Sequence, residues 1–444
     1  MTPAARIEAA IDLIGRIESA VVPAERVVTP YLRERRYMGS KDRRAVTDLV
    51  YGALRARARL DWWLTRAGPG PGDGLERPRR TVLAALALIE GKGAGEIAAL
   101  FDGGTYHPAP LAEAERALAE ALAGEALVHA EQPLETRAEC PAWLLPDFTE
   151  AFGDRVEAEL AGFMGAAPLD LRVNALKGGR ESARTALAQE GIETEPCPLS
   201  PLGLRLAGRP AIYGGPAYES GLVEVQDEGS QVVALLTGAR PGGAVADFCA
   251  GAGGKTLALA AAMENRGTLV ALDSEQKRLD RAAKRIKRAG VTNVERRRLL
   301  PGDPWLARRA GTFERVLVDA PCSGSGAWRR QPDARWRLTP EDLAAHCAAQ
   351  AEILGQAAPL VAGGGRLIYA TCSLLPSENE RQVEAFLESR PDFSLLPAET
   401  VWAESIGEPP AAPSPFQGPY LLLTPARHGT DGFFAAILER RRRA

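Results

Sequence analysis

The sequence predicts a multidomain protein: an all-α domain first, a small α+β connector next, and an α/β domain on a mostly parallel, doubly wound sheet last. Three observations carry this. Apolar residues recur at helical spacing as far as about Ala123. Short β-type runs then mix with helical ones up to Gln231. From Val232 onward, strand–loop–helix units alternate, the pattern of a parallel sheet with helices on both faces. A chain of 444 residues also exceeds one ordinary domain, and its length alone suggests roughly three.

In the first region, 1–132, Ile7, Ala10, Ile11 and Ile14 stand at i, i+3, i+4 and i+7, and Asp42 to Leu64 behaves alike. Gly68-Pro69-Gly70-Pro71-Gly72 reads as a loop between helices. Thr81–Ile89 has the length of a buried helix and falls short of the ~18–20 apolar residues a membrane span needs. The connector, 133–231, opens with a linker at Pro133–Cys140. It carries β-type runs at Leu169–Val173, Leu202–Leu206 and Leu222–Val225, with a helical run at Glu181–Gln189. In the last region, 232–444, strands are expected at Ala244–Phe248, Thr268–Leu272, Arg315–Val318 and Arg366–Tyr369. A later antiparallel pair is expected around Ser394–Leu396 and Gly432–Leu438.

Composition narrows the function. Six cysteines without a C-x-x-C spacing do not make a disulfide framework or a thiolate zinc site. Four scattered histidines argue against a metal centre or a His-based triad. Cys140, Cys197 and Cys347 read as inert. An early acid, Glu8, and no signal-peptide pattern make the cytosol the expected compartment, with no membrane partner, no metal and a monomeric chain. A net charge of −3 excludes a uniformly basic nucleic-acid binder. Charge is nevertheless clustered, at Arg33, Arg35, Arg36, Lys41, Arg43 and Arg44, at Arg296–Arg298, at Arg329 to Arg337 and at Arg440–Arg443. Such patches suit a folded polyanion held on one face. Lys284–Arg288 by itself reads better as a solvated helix face.

Three loops follow the predicted parallel strands, and open α/β sheets bind ligands at that carboxyl edge. The first, Cys249-Ala250-Gly251-Ala252-Gly253-Gly254-Lys255, lets the backbone approach a ligand before a helix amino terminus. It is not a P-loop, because Cys249 occupies the required first glycine position; nor is it G-x-G-x-x-G, because Thr256 occupies the third. Asp273 closes the next strand about 20 residues on, where an acid accepts hydrogen bonds from ribose hydroxyls; it also suits a helix cap. The second loop, Asp319-Ala320-Pro321-Cys322, projects a carboxylate and a thiol from one turn. Trp328, Arg329, Arg330, Arg335, Trp336 and Arg337 follow, residues able to stack bases and hold phosphates or to form core. The third presents Cys372 within Tyr-Ala-Thr-Cys-Ser.

Asp-Phe-Cys-Ala-Gly-Ala-Gly-Gly-Lys-Thr (247–256), Asp-Ala-Pro-Cys-Ser-Gly (319–324) and Ala-Thr-Cys-Ser with Glu378-Asn379-Glu380 resemble the signature blocks of the Sun-type RNA (cytosine-5)-methyltransferases. The likeness spans roughly residues 140–440, including Leu171-Arg172-Val173-Asn174 and Val225 to Gln231. Asp42-Arg43 and Leu49 to Arg55 resemble a NusB-like RNA-binding domain. The resemblance implies a Rossmann-like class I methyltransferase domain using S-adenosyl-L-methionine, an RRM-like RNA-binding connector, and 16S ribosomal RNA or a pre-30S particle as partner. It implies Cys372 as nucleophile, Asp319 on the cytosine edge and Cys322 in the last stage of the reaction. Cofactor contacts fall on residues 249–255, Asp273, Asp303 and Asp319. RNA contacts fall on Arg172, Asn174, Arg329, Arg330, Arg43 and Arg44. Two departures stand out: Gly251-Ala252 replaces the family's Ala-Pro, and Asp303 precedes Pro304 where the family has glycine. Methylation of transfer RNA or large-subunit RNA, a non-catalytic RNA-binding module, and a cysteine-based redox or acyl-transfer enzyme are the competing readings.

Overall fold

Helices Pro3–Glu18, Ala24–Glu34, Ser40–Arg55, Arg57–Ala67, Arg77–Leu88, Ala94–Leu100 and Glu113–Leu122 follow one another in the amino-terminal third of this computed structural model. Residues 1–67, 76–410 and 413–442 are described. The Gly68–Gly72 breaker and Arg443 lie outside the described residues. Thr2 caps the first helix, its hydroxyl accepting from Ala5 N at 3.2 Å. The helix buries Ile7, Ala10, Leu13, Ile14 and Ile17 on one stripe. Arg77–Leu88 is different: every residue from Val82 to Leu88 is buried, so this helix is the centre of the bundle.

The described chain falls into two compact units. The helical one takes residues 1–149, 154–165 and, from far along the chain, 328–337. Helices therefore continue past 132, with Leu134–Arg137 and Val156–Ala161. The returning segment is fastened by polar and aromatic contacts. Arg335 Nη1 donates to Glu139 O at 2.9 Å. The fully buried Glu139 carboxylate accepts from Ala58 N, Arg59 N and Arg59 Nε at 2.9, 3.1 and 2.8 Å. Trp328 has no exposed surface and lies 5.3 Å from Phe148 and 5.9 Å from Phe163, centroid to centroid. The aromatic–arginine run after Cys322 is thus partly core: Trp328, Arg329 and Arg335 are all buried.

The second unit contains two sheets. The smaller is antiparallel: β1 (Asp170–Val173), β2 (Thr194–Pro196), β3 (Gly203–Leu206) and β4 (Val223–Val225), ordered β2-β3-β1-β4. With helices Arg180–Gln189 and Pro216–Glu219 between strands, it has a βαββαβ, ferredoxin-like plan. The larger has nine strands: β5 (Ala244–Phe248), β6 (Thr268–Asp273), β7 (Val294–Arg298), β8 (Phe313–Asp319), β9 (Val361–Thr371), β10 (Phe393–Leu396), β11 (Phe416–Gln417), β12 (Tyr420–Leu423) and β13 (Phe433–Arg440). Strands β7-β6-β5-β8-β9 are parallel; β13 then runs antiparallel beside β9, with β12 and β11 beyond it and β10 on β13. This is a Rossmann-like sheet whose chain direction reverses at β13. No helix among the described residues is long and apolar enough to cross a membrane.

Trp328→Ala should lower the stability of the helical unit by about 3–5 kcal/mol, the usual cost of emptying a buried aromatic site. Urea denaturation followed by near-ultraviolet circular dichroism measures this; an unchanged midpoint would mean that the segment is not part of that core.

Candidate active site

Parallel register brings the three loops to one edge. Phe248 pairs with Val318 and with Leu272, while Val318 pairs with Tyr369 and Asp319 with Ala370. The residues that follow, Cys249, Asp319 to Cys322 and Cys372, consequently leave the sheet side by side.

The glycine loop is held in a demanding conformation. Cys249, a residue with a Cβ, sits at φ +81°, and Gly251 and Gly253 at +56° and +82°. A Cβ on Gly253 would come within 3.0 Å of the Ala282 methyl, so this position needs glycine on two counts. Gly251 N donates to Asp273 Oδ2 at 2.9 Å, and Glu275 N to Asp273 Oδ1 at 2.8 Å. Each carboxylate oxygen keeps further acceptor capacity for ribose hydroxyls. A Cβ at Gly251 would meet only Cys249 O, at 4.0 Å, which leaves room for a ligand against the backbone. These features fit an adenosyl cofactor, which residues 249–255 and Asp273 would hold.

The loop is braced from behind. Arg172 Nη1 donates to Gly254 O at 2.7 Å and to Gln226, and Arg285 Nη1 donates to Ala252 O at 2.8 Å. Arg172 is buried, which pushes its guanidinium down to about 10. Asn174 is also buried; its amide donates to Gly221 O and Ala289 O, both at 2.9 Å. Both residues expected on RNA thus have their side chains buried on protein partners. Arg285 and Arg288, expected on a solvated face, turn inward to Glu224. Asp303, expected on the cofactor, caps helix Pro304–Arg308 through Trp305 N at 2.9 Å and pairs with Arg297 at 2.9 Å. Those contacts, with the capping amide foremost, hold its carboxyl below the usual range. Of the RNA set, Arg329 is buried, Arg330 and Arg43 are half-buried, and Arg44 is exposed.

Beneath the loop lies Asp247, fully buried. Thr256 donates to its Oδ2 at 2.6 Å, while Oδ1 has no partner. Burial raises its carboxyl to about 7. Lys255, placed in the glycine-loop set by its position, reaches across to Asp319: Nζ lies 2.7 Å from Oδ2. Beyond them the Cys322 and Cys372 sulfurs are 3.3 Å apart. The neighbouring Cys372 sulfur, and then burial, drive the Cys322 thiol well above its ordinary value. A separate cluster, Asp170, Cys197 and Glu228, is built around a cation already present, since Arg205 pairs with Asp170 at 2.8 Å and Glu228 at 3.3 Å.

Comparison with known proteins places the chain in a family. Residues 234–439 match the model of the 16S rRNA methyltransferase RsmB/F family, and residues 140–213 match the RsmF/B-like ferredoxin-like domain. A probable ribosomal RNA small subunit methyltransferase B from Synechocystis is 32% identical over 417 residues, covering 90% of this chain and 91% of its own. The chain belongs to the RsmB/F methyltransferase family. Among solved structures, PH0851 shares 25% identity and a TM-score of 0.76, each chain covered to 99%. A methyltransferase homolog from Pyrococcus horikoshii shares 26% identity with a TM-score of 0.59, covering 69% of this RsmB/F chain and 97% of its own. The arginine brace links the two matched regions: Arg172 stands on β1 of the ferredoxin-like one and Gly254 in the methyltransferase one.

Two outcomes check the site. Asp247 binds a proton more tightly folded than unfolded, so its contribution to stability is present below about pH 4 and is lost as pH rises through about 7. Asp247→Asn should therefore raise the melting temperature relative to wild type at pH 8 but not at pH 4; an equal shift at both would exclude the buried acid as the cause. Arg172→Met should weaken S-adenosylmethionine binding by isothermal titration while leaving the slope of RNA affinity against salt unchanged, because no phosphate contact is lost. A slope reduced by about one unit would return Arg172 to the RNA.

Proposed function

We propose that this protein methylates carbon 5 of a cytosine in 16S ribosomal RNA, using S-adenosyl-L-methionine and a transient bond between the Cys372 sulfur and cytosine carbon 6. One observation carries the reading: two sulfurs 3.3 Å apart beside the Lys255–Asp319 pair, at the rim that also bears the glycine loop. One thiol suits many reactions. Two in contact suit a reaction in which one makes a bond to the substrate and the other helps to break it.

Carbon 5 of cytosine is a weak nucleophile. Cys372, as thiolate, adds at carbon 6 and moves electron density to carbon 5, replacing one difficult step by two easier ones. The cofactor supplies the methyl group as an electrophilic sulfonium substituent. Asp319 accepts from the N4 amino edge of the base. Lys255 occupies one of its oxygens, and the side chain is 32% exposed, so the other oxygen can turn to the substrate. Release requires loss of the carbon 5 proton while the sulfur–carbon 6 pair returns to Cys372. Cys322, its sulfur 3.3 Å from that of Cys372, gives its proton to the departing sulfur, and the thiolate so formed takes the proton from carbon 5. The cytosine must leave its stack to enter, which favours a loop or opened helix. Exposed Arg33, Arg36, Lys41 and Arg44 give the helical, NusB-like unit positive charge of its own for RNA phosphates.

Incubation with labelled S-adenosylmethionine and unmodified 16S ribosomal RNA should place 5-methylcytosine at a site mapped by bisulfite sequencing. Cys372→Ala should cut turnover at least about 1,000-fold with cofactor affinity retained. Cys322→Ala should hold RNA on the protein through denaturing electrophoresis. Normal turnover by Cys322→Ala together with an adduct on Cys372→Ala would reverse the two roles.

A further inference from the structure

Each thiol is flanked by residues that other side chains fasten. On the Cys322 side, Glu378 takes both donors of Ser323, N at 2.8 Å and Oγ at 2.5 Å. Gln350, on helix Pro340–Ala357, donates through Nε2 to Pro321 O and to Glu378 Oε1, both at 3.0 Å. Ser323 is thus tied to the Glu378 carboxylate directly and Pro321 to it through Gln350. On the Cys372 side, Asn379 Oδ1 accepts from the Thr371 hydroxyl at 2.6 Å and its Nδ2 donates to Ser373 O at 3.0 Å. The residues before and after Cys372 converge on one amide. The two anchors are adjacent in the chain, so both turns are tied to one dipeptide.

Cross-ties complete the frame. Ser325 Oγ lies 3.0 Å from Ser373 Oγ and accepts from Leu374 N at 2.9 Å, while Gly326 N donates to Cys372 O at 2.9 Å. The Tyr369 hydroxyl donates to Glu378 O at 2.6 Å. Gln350, Thr371, Ser373 and Glu378 have no exposed surface, and Asn379 has 1%. Hydrogen bonds to a buried carboxylate are strong and directional, and the low local dielectric makes them costly to break. A network so closed has little freedom to let the sulfurs drift.

We propose that Glu378 and Asn379 are positioning residues that set the separation of the Cys322 and Cys372 sulfurs. Neither touches the reacting atoms in this assignment; they act through Ser323, Thr371 and Ser373. The inference rests on the thiol-pair chemistry proposed above, yet it concerns geometry that can be read without that chemistry. Sulfurs in contact close readily to a disulfide when a diazenedicarboxamide oxidant accepts two electrons and both thiol protons, becoming the corresponding hydrazine. The closure rate therefore reports the sulfur spacing with no RNA or cofactor present.

The test uses the full chain and follows the Cys322–Cys372 disulfide by peptide mass mapping after timed exposure to diamide. Glu378→Gln leaves one acceptor oxygen and turns an amide N–H2 to one of the two Ser323 donors, and Asn379→Ala removes the second anchor. Both should slow closure at least about tenfold and lower kcat by roughly 10- to 100-fold, the scale of a misplacement near 1 Å. KM for RNA and Kd for S-adenosylmethionine should stay within about twofold of wild type. Ser323→Ala should repeat the effect and Ser323→Thr, which restores the hydroxyl, should reverse it; this pair decides the matter where a buried-carboxylate variant fails to fold. Wild-type closure rates in folded Glu378→Gln and Ser323→Ala would overturn the proposal, whatever happens to kcat. Absence of 5-methylcytosine from the wild-type reaction would instead sink the assigned reaction and leave the closure rates to judge the clamp.

Discussion

Parallel pairing of β5, β8 and β9 is the constraint on which the site depends. Neighbouring strands in a sheet lie about 4.8 Å apart, and in this sheet the last residues of all three are in register. Whatever leaves those ends must emerge within a few ångströms of its neighbours. A glycine loop, a carboxylate–thiol turn and a second thiol separated by more than 120 positions become one rim for this reason. The β9–β13 pairing, antiparallel from Thr371 to Arg366, secures the outer side of the strand that carries Cys372.

Register alone would leave the loops loose, and the polar contacts around them remove that freedom. The glycine loop is fastened from three directions: by Asp273 on β6, by Arg285 on the following helix and by Arg172 on β1 of the ferredoxin-like sheet. The third contact makes the smaller sheet part of the cofactor scaffold as well as a connecting module. Its own ionic centre, Arg205 between Asp170 and Glu228, holds β1 and β3 to the start of helix Glu228–Leu236. Buried charges of this kind are tolerated because each meets a partner; an unpaired one would cost several kcal/mol.

Segment 328–337 joins chemistry to architecture in a different way. It begins six residues after Cys322, yet its Trp328 and Arg335 complete the core of the helical unit. An aromatic and arginine-rich run looks the same in sequence whether it stacks on bases or on phenylalanines. What separates the two outcomes is the partner surface, and Phe148, Phe163 and Glu139 supply it from well over 100 positions away.

The order of classes along the chain, helical, then mixed, then alternating, was legible because each rests on local periodicity and turn chemistry. The thiol and glycine motifs were legible too, since Asp319-Ala320-Pro321-Cys322 and Cys249 to Lys255 are contiguous and each follows an apolar run. The partners that Arg172, Asn174, Arg285 and Asp303 hold within the protein were not. Their side chains are long or capping, and a sequence does not say whether a guanidinium turns to solvent or to a backbone carbonyl. Gln350 carried no signal at all, being one polar residue on a long helix. By itself, then, the sequence determined which chemical groups exist and which strands deliver them, because backbone propensity and hydrophobic pattern act over a few residues. Only the tertiary structure decided which groups meet, because a hydrogen bond between Glu378 and Ser323, 55 positions apart, depends on distances that no local pattern encodes.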